Sequence, residues 1–435
     1  WELGTFPDGE ADLPVSGISW FEAVAYARFR EKQLPTVYHW ARAALSGFPG
    51  AFIVPPSNFG SRGPAIPGTH AGLGPYGTYD TAGNVREWCW NAQGDRRWIL
   101  GGSWTDPDYM ATQPLQIDPF DRSAVNGLRL MRLLEGQALP GDLAAPVTIG
   151  VADRRGAQPV ADPIFEVFRS QYVYPDLPLA PSVELEDTGA EGWTRQVVTV
   201  ELSYTADRLP INIFLPKGAD PPYQAVIFIS GSGSFDTQRN TITAPSPVVD
   251  FLPSAGRALI MPVYEGSYQR WDGFLDLQGE QYQIAFREHM IHWREDLGRT
   301  IDYLETRSDI DPERIAYMGF SFGASTILPP AALEERLTTF VLISGGLTPR
   351  ELTPIADMVN YVSRLTRPVL MLNGEFDPLF PVETLQRPLF ELLGAQPDQK
   401  AHLTFPTGHT ALPRGFRIRH TLDWLDRHLG PVQGD

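Results

Sequence analysis

Cysteine is almost missing from this chain: its 435 residues hold one, Cys89. No intrachain disulfide can form, which fits a reducing compartment and makes the cytoplasm the expected location. The eight histidines and the lone cysteine show no HExxH or CxxC spacing, so no structural zinc site is expected. No apolar run is long enough to span a bilayer, and the first residues carry no signal-peptide pattern. Positive charge is in deficit. Thirty-five Lys and Arg against 52 Asp and Glu leave a formal net charge of −17. A surface of that sign repels phosphates, which argues against a nucleic-acid or anionic-membrane partner. The chain starts at Trp1 with no initiator methionine, and so reads as a piece of something longer. Nothing in the composition points to an oligomeric state.

Glycine and proline are plentiful, 40 of each, which predicts many turns and irregular segments. Hydrophobic residues make up 43%, enough for a large core, and the length favours two domains. The stretch from Leu134 to Asp162 is rich in Gly, Pro and Ala and poor in aromatics, and marks the boundary. The expected division is a first domain over 1–135, a linker over 136–162 and a second domain over 163–435. In the first domain, Ile18 to Arg30 has helical periodicity after Ser16-Gly17, and Val37 to Leu45 reads as a second short helix. From Gly47 to Tyr79 periodicity is lost, but Phe48, Phe52, Phe59, Tyr76 and Tyr79 argue for ordered loops.

The second part reads differently. Val197 to Tyr204 and Ile211 to Leu215 form a hairpin pattern. Ala225 to Ser230 and Arg257 to Val263 are continuous apolar runs, fit for strands buried on both faces. Trp293 to Arg307 is an amphipathic helix. Further strands follow at Arg314–Met318, Thr339–Ile343, Pro368–Leu372 and Ala401–Phe405, with helices between. Strands alternating with helices imply a mostly parallel sheet.

The phrase Gly319-Phe320-Ser321-Phe322-Gly323 follows one of those strands. A strand turning sharply into a helix can hold a serine at the tip of a strained elbow, here with Ala324 to Leu328 opening the helix. Gly319 and Gly323 are the positions where a Cβ would meet neighbouring backbone. A serine hydroxyl needs a base, and the base needs an orienting acid. Downstream, Asn373-Gly374-Glu375-Phe376-Asp377-Pro378 is a strand end running into a loop. Thr407-Gly408-His409 follows the last strand.

Antiparallel strands, then βα units with Gly-x-Ser-x-Gly in the middle, resemble the α/β-hydrolase fold. The resemblance gives the chain order Ser, acid, His, and so implies Ser321 as nucleophile, Asp377 as acid and His409 as base. Glu375 sits too early in the acid phrase. The remaining histidines, including His289, His292, His402 and His420, read as ordinary residues of helices and strands. The oxyanion hole is expected from the backbone N–H groups of Phe322 and of Ser232, with Gly233 next in line. Tyr264, Tyr268 and Arg270 are candidates to line a substrate pocket, Arg270 to hold a carboxylate. The same residues read equally as core and cover. The phrases Tyr264-Glu265-Gly266-Ser267-Tyr268 and Leu422-Asp423-Trp424-Leu425-Asp426 resemble hydrolases at the C-terminal end of multidomain bacterial Ser/Thr kinases. That resemblance implies a kinase domain upstream.

In the first domain five phrases keep their order: Pro14 to Trp20, Leu34-Pro35-Thr36 with Trp40, Tyr79 to Trp88, Gly101-Gly102-Ser103-Trp104, and Asn126 to Leu130. Together they resemble the formylglycine-generating enzyme (sulfatase-modifying factor) domain, an irregular α+β fold of the C-type-lectin-like kind. The likeness begins well inside that domain, as though its N-terminal part were lacking. Copper-dependent members carry a cysteine pair after the Gly-Gly-Ser-Trp phrase. Thr105 to Arg132 has none, and Cu(I) wants thiolates, so formylglycine generation is not expected. Cys89 reads as a buried core residue. The resemblance also implies a structural calcium held by the Asp80 and Glu87 side chains and the Gly83 and Val85 carbonyls. Against it stands a plainer reading, in which Glu87 pairs with an arginine and Asp80 caps a turn. The chain as a whole is expected to be a serine esterase acting on a small-molecule ester, with no cofactor for catalysis. The alternatives are a peptidase or amidase of the same fold, and a binding module with a relic hydrolase.

Overall fold

The computed structural model describes residues 6–45, 53–112, 114–134, 137–147, 153–187, 190–236, 241–350, 352–410 and 412–432. Phe48 and Phe52, and the middle of the expected linker, lie outside the described residues. The chain forms two compact units, 1–150 and 151–435.

In the first unit, helix α1 spans Trp20–Phe29, starting two residues after the expected Ile18. Ser19 and Glu22 form a reciprocal capping box that satisfies otherwise orphaned N–H groups. One face of α1 buries Trp20, Ala23, Val24 and Ala27. Helix α2 spans Val37–Leu45. Four strands, β1 (Arg86–Gln93), β2 (Arg96–Leu100), β3 (Leu115–Ile117) and β4 (Asn126–Gly127), form one sheet in the order β3-β2-β1-β4. Trp20, Leu34, Trp88 and Ile99 pack as one core cluster, and Trp40, Cys89 and Trp98 as another. Much of the rest is turn and loop, as the glycine and proline content predicts. Part of the expected linker packs here: the Leu143 and Ala145 carbonyls accept from Asn91, and that of Val147 from Trp98.

The second unit is built on nine strands. They are β5 (Ser182–Asp187), β6 (Trp193–Val200), β7 (Leu209–Pro216), β8 (Tyr223–Ile229), β9 (Ala258–Pro262), β10 (Ile310–Phe320), β11 (Thr339–Ile343), β12 (Val369–Gly374) and β13 (Lys400–Phe405). Their order in the sheet is β13-β12-β11-β10-β8-β9-β7-β6-β5. From β9 to β13 the pairings are parallel, while β5, β6 and β7 run antiparallel. This is the α/β-hydrolase arrangement that the resemblance implied.

Edge strand β5 is exposed along its whole length, so no buried-strand pattern announces it. Three helices matter below: α3 (Asp162–Arg169), α4 (Gly279–Glu305) and α5 (Arg414–Leu429). Helix α4 starts fourteen residues before the expected Trp293. Tyr282, Phe286, Met290, Trp293, Leu297, Ile301 and Leu304 recur at steps of three and four along its buried face. Here the C-terminal part of the expected linker packs: Arg154 pairs with Asp357, and Val160 N–H donates to Asn360. No helix among the described residues is long and apolar enough to cross a membrane.

Strand order reverses between β8 and β10. In open α/β sheets the carboxyl ends of the strands beside such a reversal form a crevice, and ligands bind there. Ser230 and Ser321 leave the strands beside the reversal, β8 and β10, and Asp377 and His409 follow the carboxyl ends of β12 and β13.

Candidate active site

Ser321 follows β10 at φ 52°, a left-handed conformation that a non-glycine residue adopts only when its surroundings force it. The surroundings do force it. A Cβ on Gly319 would stand 2.3 Å from the Gly323 carbonyl oxygen, and one on Gly323 would stand 2.4 Å from that of Ile229. Only two glycines let the chain double back so tightly beside β8. The Ser321 N–H donates to the Ile343 carbonyl at 2.8 Å, which pins the tip of the elbow to β11. Turns, not the expected helix, continue to Ile327, and a short helix covers only Leu328–Ala332.

The structure brings Ser321, His409 and Asp377 into one hydrogen-bonded chain. Asp377 Oδ2 can only accept, so His409 Nδ1–H donates to it, at 2.7 Å. That leaves Nε2 with its lone pair, and the Ser321 hydroxyl donates there at 2.8 Å. Asp377 is 2% exposed. Its other oxygen, Oδ1, accepts from the N–H groups of Leu379 and Phe380, so the carboxylate is paired on both sides. Glu375, the rival carboxylate, is exposed.

Beside the elbow runs the turn Ser230 to Ser234. A Cβ on Gly231 would touch the Phe320 ring and Cβ of Ser321, at 3.2 and 3.4 Å, so this turn flanks the serine. Neither the Phe322 N–H nor the Ser232 N–H makes a hydrogen bond among the described residues. The turn is held by its own bonds, Ser234 N–H and Oγ to the Gly231 carbonyl and Phe235 N–H to that of Ser232. Aromatic rings close in: Phe235 lies 4.9 Å from Phe322 and 5.9 Å from Trp293, and Phe274 lies 6.2 Å from Phe235.

The three pocket candidates take positions of core and cover, one of the two readings the sequence left open. Arg270 does hold a carboxylate, but the chain's own: Asp296, fully buried, at 3.1 Å. It also donates to the Val263 carbonyl and the Tyr204 hydroxyl. Burial alone would drive Asp296 neutral, and its pKa is raised for that reason, with Arg270 pulling the other way. Tyr264 is buried, and burial holds its phenol well above its usual pKa. Tyr268 hydrogen-bonds Ser230 Oγ through its hydroxyl, 3.2 Å away. Tyr264 and Tyr268 line a small space of about 10 Å³ beside the turn, too small for an acyl chain. Arg270 and Tyr264 are therefore core residues, and Tyr268 supports the turn. Ser230, which the sequence reading passed over, carries a signal in its place at the end of a buried apolar run.

The calcium donor set does not fit the ion. Glu87 is 3% exposed, and both its oxygens are taken. Arg129 clasps them from two nitrogens, with the closest contact 2.7 Å, and Trp40 Nε1–H donates at 2.7 Å. Asp80 Oδ2 accepts from Gly68 N–H at 2.7 Å. Arg129 feels the charges of Glu87 and Asp80, and its pKa is raised accordingly. A guanidinium already supplies the positive charge that calcium would bring. Gly83 and Val85 stay on the loop, Gly83 at φ 76° with its N–H on the Gly101 carbonyl. Cys89 is fully buried, and burial beside Glu87 pushes its thiol well up in pKa, away from the thiolate a soft metal needs.

Residues 4–134 match the sulfatase-modifying factor enzyme 1-like domain, and residues 259–410 match the dienelactone hydrolase family. YtaP of Bacillus subtilis (strain 168), a protein named as a hydrolase, is 25% identical over 259 residues, half of this chain and 84% of its own. The inactive Cα-formylglycine-generating enzyme 2 of Mus musculus is 35% identical over 121 residues, 22% of this chain and 39% of its own. The serine/threonine-protein kinase pkn1 of Chlamydia caviae is 39% identical over 88 residues, 19% of this chain and 14% of its own. The kinase match falls on the formylglycine-type region. The chain thus carries a formylglycine-generating-enzyme-like domain followed by an α/β-hydrolase domain.

Proposed function

We propose that the second unit is a serine esterase in which Ser321, His409 and Asp377 act as a catalytic triad on a small-molecule carboxylic ester. The observation that carries this reading is the unbroken hydrogen-bonded chain from the Ser321 hydroxyl through His409 to Asp377. Ser321 Oγ attacks the ester carbonyl while His409 Nε2 takes its proton. The carbonyl oxygen becomes an oxyanion, and the unpaired N–H groups of Phe322 and Ser232 stabilise it. His409 returns the proton to the leaving alcohol, and an acyl group remains on Ser321. Water, activated by the same imidazole, then releases the acid. Asp377 holds the Nδ1–H tautomer throughout and stabilises the imidazolium that forms. No metal takes part in any of these steps.

The first unit is read as an accessory domain without formylglycine-generating activity. Support comes from the missing cysteine pair and from the burial of Cys89. Incubated with copper, oxygen and a sulfatase-motif peptide, the protein should yield no aldehyde. The match to pkn1 supports placing the chain within a larger kinase-containing polypeptide.

The direct test is a panel of p-nitrophenyl esters of increasing acyl length, run beside aminoacyl anilides on wild type and Ser321→Ala. Ester turnover confined to the wild type supports the proposal. Anilide cleavage at higher kcat/KM would make the enzyme a peptidase, and no turnover of either class would leave the relic reading.

A further inference from the structure

Helix α4 and the loop after β9 meet in a second polar cluster, built on residues other than the triad. Glu265, Asp272 and His289 each present one ligand-type atom, and these atoms lie within 4.8 Å of one another. His289 is buried, while Asp272 and Glu265 stay partly open to solvent. Among the described residues no other such cluster of three occurs.

Hydrogen accounting at His289 is the key. Its Nδ1 lies 2.7 Å from the Ala285 carbonyl, which can only accept, so Nδ1 carries the proton. In the neutral ring Nε2 then holds a lone pair. It points at Asp272 Oδ2, 2.8 Å away, another acceptor. At that distance a proton joins the two atoms as an ion pair, and a cation that displaced this proton would be held by both atoms from one side. Both carboxylates draw positive charge in.

The outer contacts are those of a metal-binding histidine, whose far nitrogen donates to a backbone carbonyl and so aims the other at the ion. The Phe274 ring stacks on His289 at 4.0 Å and fixes its plane. Glu265 is held in turn by His292 Nδ1, 2.5 Å from its Oε2, and His292 stacks on Tyr204 at 3.9 Å. Arg270, the nearby cation in the loop, is committed to Asp296. Two carboxylates and one neutral imidazole carry a charge that one divalent ion cancels.

We propose that Glu265, Asp272 and His289 form a binding site for a divalent transition-metal ion, zinc being the probe of choice, with His292 orienting Glu265. An ion bonded at about 2.1 Å to each ligand keeps ligand atoms roughly 3 to 4 Å apart, so the observed spread closes with small side-chain rotations. One imidazole and two oxygens leave a position for water. The site joins the loop that carries Tyr268 and Phe274 to α4. It braces that loop and takes no part in ester cleavage, so it stands or falls apart from the triad.

The test is titration calorimetry with zinc chloride on the full chain, free of any tag and stripped with chelator. One equivalent should bind at this site. Asp272→Asn and Glu265→Gln should each abolish it, and His292→Ala should weaken it about 10- to 100-fold, the usual effect of losing an outer-shell partner. Asp272 lies at the surface, so its variant should fold, with circular dichroism as the control. The metal-free protein should keep its ester hydrolysis in all three variants. No zinc binding would mean that a proton alone fills the gap, as an imidazolium–carboxylate pair. Binding unchanged by Asp272→Asn and Glu265→Gln would place the zinc elsewhere. Either result overturns the proposal.

Discussion

Gly319 faces the carbonyl of Gly323 so closely that a Cβ would stand 2.3 Å from its oxygen. That contact and the φ of 52° at Ser321 are two sides of one constraint. The elbow exposes its serine because positions 319 and 323, two residues to either side, lack side chains. Gly319→Ala should destabilise the second unit by about 1–3 kcal/mol, the usual effect of overpacking. It should also displace Ser321 from His409. Ester kcat should fall far more than the loss of folded protein explains, measured as active sites per mole of native protein by burst titration.

Asp377→Asn should lower kcat on the order of 10⁴-fold, because the amide can stabilise the wrong His409 tautomer. Glu375→Gln should change kcat little. A steady-state comparison of the two variants decides which carboxylate orients the base. The reverse ranking would move the acid to Glu375.

The Glu87–Arg129 pair predicts the behaviour of the first unit. Chelator should leave its melting unchanged, and added calcium should not raise it, since a ligand for the folded state alone would do so. Arg129→Leu should lower its stability by about 2–3 kcal/mol, less than for a fully buried pair because Arg129 is partly exposed. Differential scanning calorimetry with and without chelator checks both statements.

His402 gives the second unit an acid sensitivity of its own. Burial, with the Arg387 charge adding to it, depresses its folded pKa to about 4. The unfolded chain binds a proton near the ordinary value of about 6.5. The associated stability is therefore complete above about pH 6.5 and is lost as pH falls towards 4. His402→Gln, which can still donate towards Gln386, should flatten the fall in melting temperature over that window. An unchanged slope would assign the acid sensitivity to other groups.

Much of this was legible in the sequence. The serine, acid and base stand on strand ends whose apolar runs are continuous, and their order needs no long-range information. Helix α1 was visible in its periodicity, and the buried strands in their unbroken hydrophobicity. What escaped depends on distant partners. Arg270 reads as a candidate to hold a substrate carboxylate until Asp296, on another element, takes it. For Glu87 the sequence leaves calcium or an arginine open as partner, and only the fold brings Arg129, 42 residues on, over it. Helix α4 was read short because Tyr282 and Phe286, which continue its buried face, also suit a pocket lining. Strand β5 pairs only by its backbone at the sheet edge, so its side chains carry no burial pattern. The His289 cluster left a trace in His289-x-x-His292, two histidines on one helix face, but its carboxylates come from the loop before.

The most direct measurement is mass spectrometry of the protein quenched in acid during turnover of a p-nitrophenyl ester. The proposed mechanism predicts a covalent adduct of one acyl group, located on Ser321 in the peptide map. It should be absent from Ser321→Ala and should accumulate when His409→Ala is mixed with an activated ester at high pH. An acyl group on any other residue, or turnover by Ser321→Ala at the wild-type rate, would contradict it.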